Sequence, residues 1–117
     1  MQNYSSAVIE GFVTFNPVLR KTKTDKTVCS FSIAVNHYSR EGEEEKVSFI
    51  DVESWDKLAD VCSRNIAKGK RVMVMGSLKQ DKWEGKDGKI QSRIKIIARE
   101  IRLLESFSSL TKEKEAV

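Results

Sequence analysis

The sequence predicts an all-β protein with one helix, in the form of a five-stranded Greek-key β-barrel whose helix lies between strands 3 and 4. Three observations support this fold class. Short segments of alternating apolar and polar residues recur along the chain, as in strands with one buried face. One segment instead has apolar residues at helical spacing. The resulting order of three strands, a helix and two strands is that of a five-stranded Greek-key barrel.

The first two predicted strands enclose a polar loop. Residues 7–15 alternate as a half-buried strand, and Gly11 within it indicates a bend or bulge. Residues 16–27 contain the only proline and little apolar character, so we predict a loop there. Residues 28–35 form the second strand, with Ser30 and Ser32 facing outward. Its predicted inward residues are Cys29, Phe31, Ile33 and Val35.

A polar connection at residues 36–46 leads to the third strand at residues 47–55, in which Ile50 and Val52 belong to the core. The helical segment follows. Asp56 is a suitable N-cap and Gly69 a natural stop after the last turn. The apolar residues at helical spacing are Leu58, Val61, Cys62 and Ile66.

The last two strands are predicted at residues 72–83 and 90–104, joined by a turn at Gly85 and the Asp87-Gly88 pair. We predict that Val72, Val74, Gly76 and Leu78 share the inner side of the fourth strand. In the fifth strand the apolar parity changes near Ile97, which indicates a bulge. We therefore expect one domain over residues 1–104 and a short, polar, disordered tail over residues 105–117.

Positive charge is unevenly distributed along the chain. The net charge of the 117 residues is only +4, but residues 57–102 carry thirteen basic and five acidic side chains. A basic stripe of this kind is typical of a protein with a polyanionic partner, although it is equally compatible with an ordinary solvated surface.

Catalytic and metal-binding chemistry is not expected. Cys29, Cys62 and His37 form no zinc-binding pattern, and both cysteines lie in apolar segments. The acidic run at residues 43–45 is expected to be solvated, and no phosphate-binding glycine motif is present. We therefore expect no catalytic residues, no metal and no cofactor. No apolar run approaches the roughly 20 residues that span a bilayer, and no secretion signal is evident. These features predict a reducing, cytoplasmic setting without membrane association.

Aromatic residues on the third and fourth strands are candidates for stacking on nucleic-acid bases. Phe49 and Trp55 share a strand face with Asp51 and Glu53, and a face that carries charges is at least partly wet. Exposed rings stack on bases with about 1–3 kcal/mol per base, whatever the sequence. Packing under loops or against a second subunit is the alternative. Trp83 lies among lysines and is a third candidate, unless it only clamps its own hairpin.

Two further groups of residues suggest contacts with partners. Cations near Trp83 and in the last strand either neutralise phosphates or merely keep the barrel soluble. The candidates for phosphate contact are Lys79, Lys82, Lys86, Lys89, Arg93 and Lys95. Met73 and Met75 make the outer side of the fourth strand apolar, so we expect a second subunit there, the alternative being cover by the helix or a loop.

The chain resembles the bacterial single-stranded DNA-binding protein family over residues 3–104. The most specific segment is KLADVCSRNIAKGKRVMVMGSLKQDKWEGKDGK, and EGFVTFNPVLRKT, FSIAVN and FIDVESWDKLA also match at the family's spacing. The resemblance implies an oligonucleotide-binding fold (OB-fold) and a homotetramer. It also implies wrapping of single-stranded DNA during replication, repair and recombination, in the nucleoid of the bacterial cytoplasm. Matching motifs place the stacking residues at Phe49, Trp55 and Trp83, with Tyr38 as the candidate in the loop after the second strand.

Two departures from the family pattern affect these expectations. Asp51 and Glu53 stand where family members are basic or neutral, so we expect them to repel phosphates. The chain ends in KEKEAV and not in an acidic tip with a terminal aromatic, so recruitment of replication and repair proteins by such a tip is not expected. Two alternatives stay open. One is a dimeric primosomal replication-restart adaptor of the same barrel type, and the other is an RNA-binding chaperone on the same fold.

Overall fold

The computed structural model describes residues 3–104, and between these bounds it contains six strands and one helix. The strands are β1 (Ala7–Val13), β2 (Val18–Lys21), β3 (Thr27–His37), β4 (Lys46–Trp55), β5 (Arg71–Glu84) and β6 (Ile90–Leu104), and the helix is α1 (Asp56–Asn65). The predicted order of five long strands with one helix is confirmed. The short strand β2 is additional and lies in the segment predicted as a loop. The predicted tail lies outside the described residues.

The five long strands follow one another around a barrel. The strand order is β1-β5-β6-β4-β3-β2, and a short pairing of β1 with β3 joins the ends of the five-strand series. β4 and β6 pair in parallel, and the other pairs are antiparallel. The short β2 adds to the outer edge of β3. This arrangement confirms the predicted five-stranded barrel.

The core lies inside this barrel and under the helix. The predicted inward residues Cys29, Phe31 and Ile33 of β3 are buried, because successive side chains of a strand point to opposite sides. Val52, Val72, Val74 and Ile96 complete the centre from the other strands. The helix contributes Ala59 and Cys62, its two buried residues.

Two glycines allow neighbouring strands to approach closely. A Cβ atom on Gly11 would lie 2.6 Å from the carbonyl oxygen of Ala34, and one on Gly76 would lie 2.0 Å from that of Ile97. The register of β5 and β6 shifts beside Gly76, where Met75 pairs with Glu100 and Gly76 with Ala98. Arg99 is therefore the extra residue of a bulge, two positions beyond the site predicted near Ile97.

Three details of the predicted elements are corrected. Trp55, not Asp56, is the N-cap, and it makes no side-chain cap hydrogen bond. The helix ends at Asn65, and Gly69 lies in a turn in which Lys70 N–H bonds to the Ala67 carbonyl. The pairing of β5 with β1 ends where Gly76 lies opposite Ala7. Leu78 lies beyond this point, so β1 does not cover it and it is half exposed.

Candidate nucleic-acid interface

One outer face of the sheet collects half of the predicted site residues, and we call it the β4–β6–β5 face. Asp51 of β4 and Lys79 of β5 both pair with Lys95 of β6. Directly paired residues project to the same side of a sheet. The face therefore consists of Phe49, Asp51, Glu53 and Trp55 from β4, Arg93 and Lys95 from β6, and Ser77, Lys79, Asp81 and Trp83 from β5.

The four predicted stacking residues differ in exposure. Tyr38 is 94% exposed, Phe49 is 67% exposed and Trp83 is 49% exposed. Trp55 is half-buried, and its indole Nε1–H donates a hydrogen bond of 2.8 Å to Glu53 Oε1. The hydrogen bond fixes the orientation of the Trp55 ring. Neither tryptophan is enclosed in the interior of the monomer.

These rings occupy both ends of the face. Phe49 and Trp55 are six residues apart on β4, which corresponds to about 20 Å along a strand. Tyr38 follows the end of β3, where His37 pairs with Lys46, and so lies near the Phe49 end. Trp83 pairs with Gln91 of β6, and Gln91 lies four residues before Lys95. Because β6 runs parallel to β4 and Lys95 pairs with Asp51, Trp83 also lies at the Phe49 end.

An ion-pair network occupies the centre of the β4–β6–β5 face. Lys95 Nζ lies 2.7 Å from Glu53 Oε2 and 2.7 Å from Asp81 Oδ2. Arg93 pairs with Asp51 and donates from Nη2 to Oδ1 at 3.1 Å. Each carboxylate of the face thus has a cationic partner. The repulsion of phosphates expected from Asp51 and Glu53 is reduced accordingly.

Glu53 is buried, which corrects the prediction of a wet surface at this position. It is 6% exposed, and its two carboxylate oxygens accept hydrogen bonds from Trp55 and Lys95. A buried carboxylate persists only when it is paired and hydrogen-bonded. Lys95, the partner that makes burial possible, is 42 residues away along the chain, so the local sequence pattern held no signal for it.

The network holds Lys95 and Asp81 in the charged form. Burial acts to lower the pKa of Lys95, but hydrogen bonds to Asp81 and Glu53, with their negative charges, outweigh burial and raise it. The hydrogen bond from Lys95 is the main cause that lowers the pKa of Asp81. Lys95 and Asp81 therefore stay ionised at neutral pH.

The predicted phosphate contacts fall into two groups. Lys79, Lys82, Lys86 and Lys89 are exposed, and none of them has an ion-pair partner among the described side chains. Lys82 projects from the side of β5 opposite Trp83. Arg93 is paired, but its side chain stays 66% exposed. The side chain of Lys95 is only 17% exposed and is held by two carboxylates.

Met73 and Met75 lie on a second outer surface, which we call the β1–β5 face. They pair with Glu10 and Val8 of β1, and Val8 is 62% exposed. Phe12 belongs to the same face and is 46% exposed. The helix packs against β2, β3 and β4, so it does not cover the two methionines.

The cysteines and the histidine do not form a reactive pair. Both cysteines are buried. Burial, with the nearby Cys62, raises the pKa of Cys29 to about 11. His37 Nε2 is 2.6 Å from Ser48 Oγ, and its eight-residue separation from Cys29 on β3 corresponds to about 26 Å.

Residues 3–104 lack two further features. No cluster of three or more histidine, cysteine, aspartate or glutamate side chains that could hold a metal ion occurs there. No helix of this part of the chain has the length and apolar character needed to cross a membrane.

Known proteins similar to this chain share one description. The model of the "Single-strand binding protein family" matches residues 4–104. A "Single-stranded DNA-binding protein" of Treponema pallidum is 33% identical over 108 residues, which are 91% of this chain and 61% of that protein. "Single-stranded DNA-binding protein 2" of Chlorobaculum tepidum is 36% identical over 108 residues, covering 89% of this chain and 73% of that protein. The chain thus spans about three fifths to three quarters of the length of these relatives.

A solved structure supports the same fold. The chain superimposes on the structure "Plasmodium falciparum SSB complex with ssDNA" with a TM-score of 0.80 at 22% sequence identity. The match covers 90% of this chain and 98% of that one. At this identity the likeness supports the fold alone, and it confirms the predicted OB-fold.

Proposed function

The chain belongs to the single-strand binding protein family, and from this premise we propose that it binds and protects single-stranded DNA, independently of sequence, in replication, repair and recombination. The observation that carries the proposal is the placement of exposed or half-buried aromatic rings at both ends of one sheet face, together with lysines on β5 and in the β5–β6 turn that have no carboxylate partner among the described side chains. Flat rings bind any base and ammonium groups bind any phosphate, so contacts of these two kinds do not depend on sequence.

Base stacking is assigned to Tyr38, Phe49, Trp55 and Trp83. Trp55 offers a ring fixed by Glu53, and a ring that is already oriented loses little conformational freedom on binding. The more exposed Tyr38, Phe49 and Trp83 lie at the other end of the β4–β6–β5 face. A DNA strand that contacts both ends crosses the centre of the face, where ion pairs neutralise the carboxylates.

Phosphate contact is assigned to the free lysines 79, 82, 86 and 89 and to Arg93, which keeps an exposed guanidinium. Each phosphate neutralised releases counterions, so binding weakens as salt rises. Lys95 contributes differently. Its ammonium cancels the charges of Glu53 and Asp81, which removes a repulsive centre from the DNA path.

The family and the surface support the remaining parts of the proposal. Members of this family bind DNA and catalyse no reaction, and the chain is not an enzyme. The exposed Val8 and Phe12 beside the partly buried methionines of the β1–β5 face support self-association, which we assign to a homotetramer with Met73 and Met75 in the interface. We place the protein in the bacterial cytoplasm, in association with the nucleoid. The relatives named above are DNA-binding proteins, so the adaptor alternative is not favoured.

A fluorescence titration tests this proposal. Oligo-dT is added to the protein, and the fluorescence of Trp55 and Trp83 is followed, with a duplex of equal length as the control. We expect quenching by oligo-dT because the indoles stack on bases, and little change with the duplex, whose bases are already stacked. Equal responses to both nucleic acids, or tighter binding of oligo-U than of oligo-dT, contradict the proposal.

A further inference from the structure

A groove beside the β4–β6–β5 face is not used by the proposed stacking and phosphate contacts. It has a volume of about 430 Å³ and lies between the residues that precede β1 and the central part of β5. Its volume is within the range of about 300–1,000 Å³ that is common for small-molecule sites. It is lined by Asn3, Tyr4, Ser5, Ser77, Leu78 and Arg99.

The fold holds both walls of this groove in place. The Leu78 N–H donates a 3.0 Å hydrogen bond to Ser5 Oγ, which fixes the segment carrying Tyr4 against β5. On the other side, Arg99 is the extra residue of the β6 bulge beside Gly76. Bulges redirect a side chain relative to a regular strand and are frequent next to functional sites.

The side chains of the groove match the parts of a nucleotide. Tyr4 presents a ring that is 89% exposed, and Leu78 adds an apolar surface that is 50% exposed. Arg99 is exposed and has no ion-pair partner among the described residues. A flat base fits against Tyr4 and Leu78, while a guanidinium binds a phosphate with paired hydrogen bonds.

The groove is continuous with the proposed DNA path. Ser77 lines it and projects to the same side of β5 as Lys79 and Trp83, because these residues are separated by even numbers of positions. Trp83 lies about 20 Å from Ser77 along the strand. A nucleic-acid strand that passes Trp83 and Lys79 therefore reaches the Ser77 wall of the groove without leaving this side of β5.

We propose that the Tyr4–Arg99 groove binds one further nucleotide of the same DNA strand, with its base on Tyr4 and its phosphate on Arg99. This inference rests on the proposed function and extends its site beyond the β4–β6–β5 face. It makes Tyr4 a fifth stacking residue, and it lengthens the stretch of DNA that each subunit contacts.

Oligo-dT of increasing length tests the groove. Short oligonucleotides fill the β4–β6–β5 face alone, and longer ones also reach the groove. We expect Tyr4→Ala to raise the Kd of the long oligonucleotides by about 5- to 150-fold, the range for loss of one stacked base, and to leave the Kd of the shortest bound length unchanged. Tyr4→Phe keeps the ring and is expected to bind as the unmodified chain does.

Arg99 is tested by salt dependence. We expect Arg99→Gln to reduce the slope of log K against log salt by about 0.7 for long oligo-dT, the value for one phosphate of a single strand. Arg64→Gln removes the same charge from the exposed side of α1 and is expected to leave the slope unchanged.

The possible outcomes separate the groove from the proposed function. If the unmodified chain binds no oligo-dT, the proposed function itself fails. If it binds but Tyr4→Ala has the same Kd at every length, the groove proposal alone is overturned. A lower mass of Tyr4→Ala in light scattering also overturns it, because the groove is then covered by a second copy of the chain.

Discussion

At the scale of single residues, Lys95 connects the stability of the barrel with the surface proposed for DNA. Its ammonium lies 2.7 Å from carboxylate oxygens of both Glu53 and Asp81. Glu53 also holds the Trp55 indole, so one cation supports a buried charge and, through it, the orientation of the ring that we propose stacks on bases. We expect Lys95 to affect DNA binding through the Trp55 ring, without touching the DNA itself.

Lys95→Met is expected to destabilise the protein by about 3 kcal/mol, because it leaves the buried Glu53 without a cation. This is the lower end of the range for breaking a buried ion pair, since the Lys95 side chain retains some exposure. Urea unfolding measures the change. Arg102→Met is the control, since it breaks only the exposed pair with Glu100 and is expected to cost less than about 1 kcal/mol. Equal costs for the two variants contradict the account of Glu53.

The same ion pairs predict a dependence of stability on pH. The pKa of Asp81 is below its usual 3.8, so its stabilising contribution is complete above pH 3.8 and is lost as the pH falls through the lowered value. The pKa of Lys95 is above its usual 10.5, so its contribution is complete below pH 10.5 and is lost as the pH rises through the raised value. The difference in unfolding free energy between the unmodified chain and Lys95→Met is therefore expected to be largest between these limits. A difference that is independent of pH from 2 to 12 is the contrary result.

At the scale of secondary-structure elements, the alternation of residues predicted the strands that enclose the core. Cys29, Phe31 and Ile33 are buried as predicted, because a barrel strand needs only one apolar side. The strand β2 was missed because all four of its residues are exposed and leave no apolar pattern. Leu78 was expected inside, but the sequence does not show where β1 ends and stops covering β5.

The sequence also predicted part of the candidate site, namely its aromatic residues, but not its ion pairs. Aromatic residues between charged ones indicated Phe49 and Trp55 on β4 and Trp83 on the β5–β6 hairpin. Each of these patterns lies within one local segment, so the sequence alone shows it. The ion pairs of Lys95 depend on three strands meeting in one register, which no local pattern encodes. Tyr4 was missed because it precedes the first strand, and only the structure places it beside Leu78 and Arg99.

The close contact of β5 with β6 provides a prediction at this scale. Gly76→Ala places a Cβ atom 2.0 Å from the Ile97 carbonyl oxygen, so the strands must move apart, and we expect a loss of more than about 3 kcal/mol. Gly42→Ala is the control, because Gly42 has a φ of +85° but no atom within 4 Å of the added Cβ, and it is expected to cost about 1–2 kcal/mol. Chemical denaturation compares the two variants. Similar midpoints for both variants argue against a close approach of β5 to β6 at Gly76.

At the scale of the whole molecule, we propose separate roles for two surfaces: the β1–β5 face binds a second subunit and the β4–β6–β5 face binds DNA. The first has exposed apolar side chains bordered by the pairs Glu10–Arg71 and Glu100–Arg102, a composition that suits contact with another protein surface. The second carries Phe49, Trp55 and Trp83 and also Lys79, which is unpaired among the described side chains. Subunits that associate through the first face leave the second open to DNA.

Met75→Glu is expected to lower the mass of the assembly in solution, because it places a carboxylate opposite Val8 at the centre of the apolar contact. Light scattering measures the mass. Val61→Glu adds the same charge at a 44% exposed position of α1 and is expected to leave the mass unchanged. An unmodified chain that is already monomeric, or a Met75→Glu variant of unchanged mass, rules out this interface.

The most direct test of the central claim is the affinity for oligo-dT, measured by fluorescence anisotropy of a labelled oligonucleotide across a series of salt concentrations. Replacing both Trp55 and Trp83 by alanine is expected to weaken binding by about 1–3 kcal/mol per ring at every salt concentration, with the slope against salt unchanged. Replacing lysines 79, 82, 86 and 89 by glutamine is expected to reduce the slope by up to about 3. An affinity that does not change when both tryptophans are removed contradicts the account.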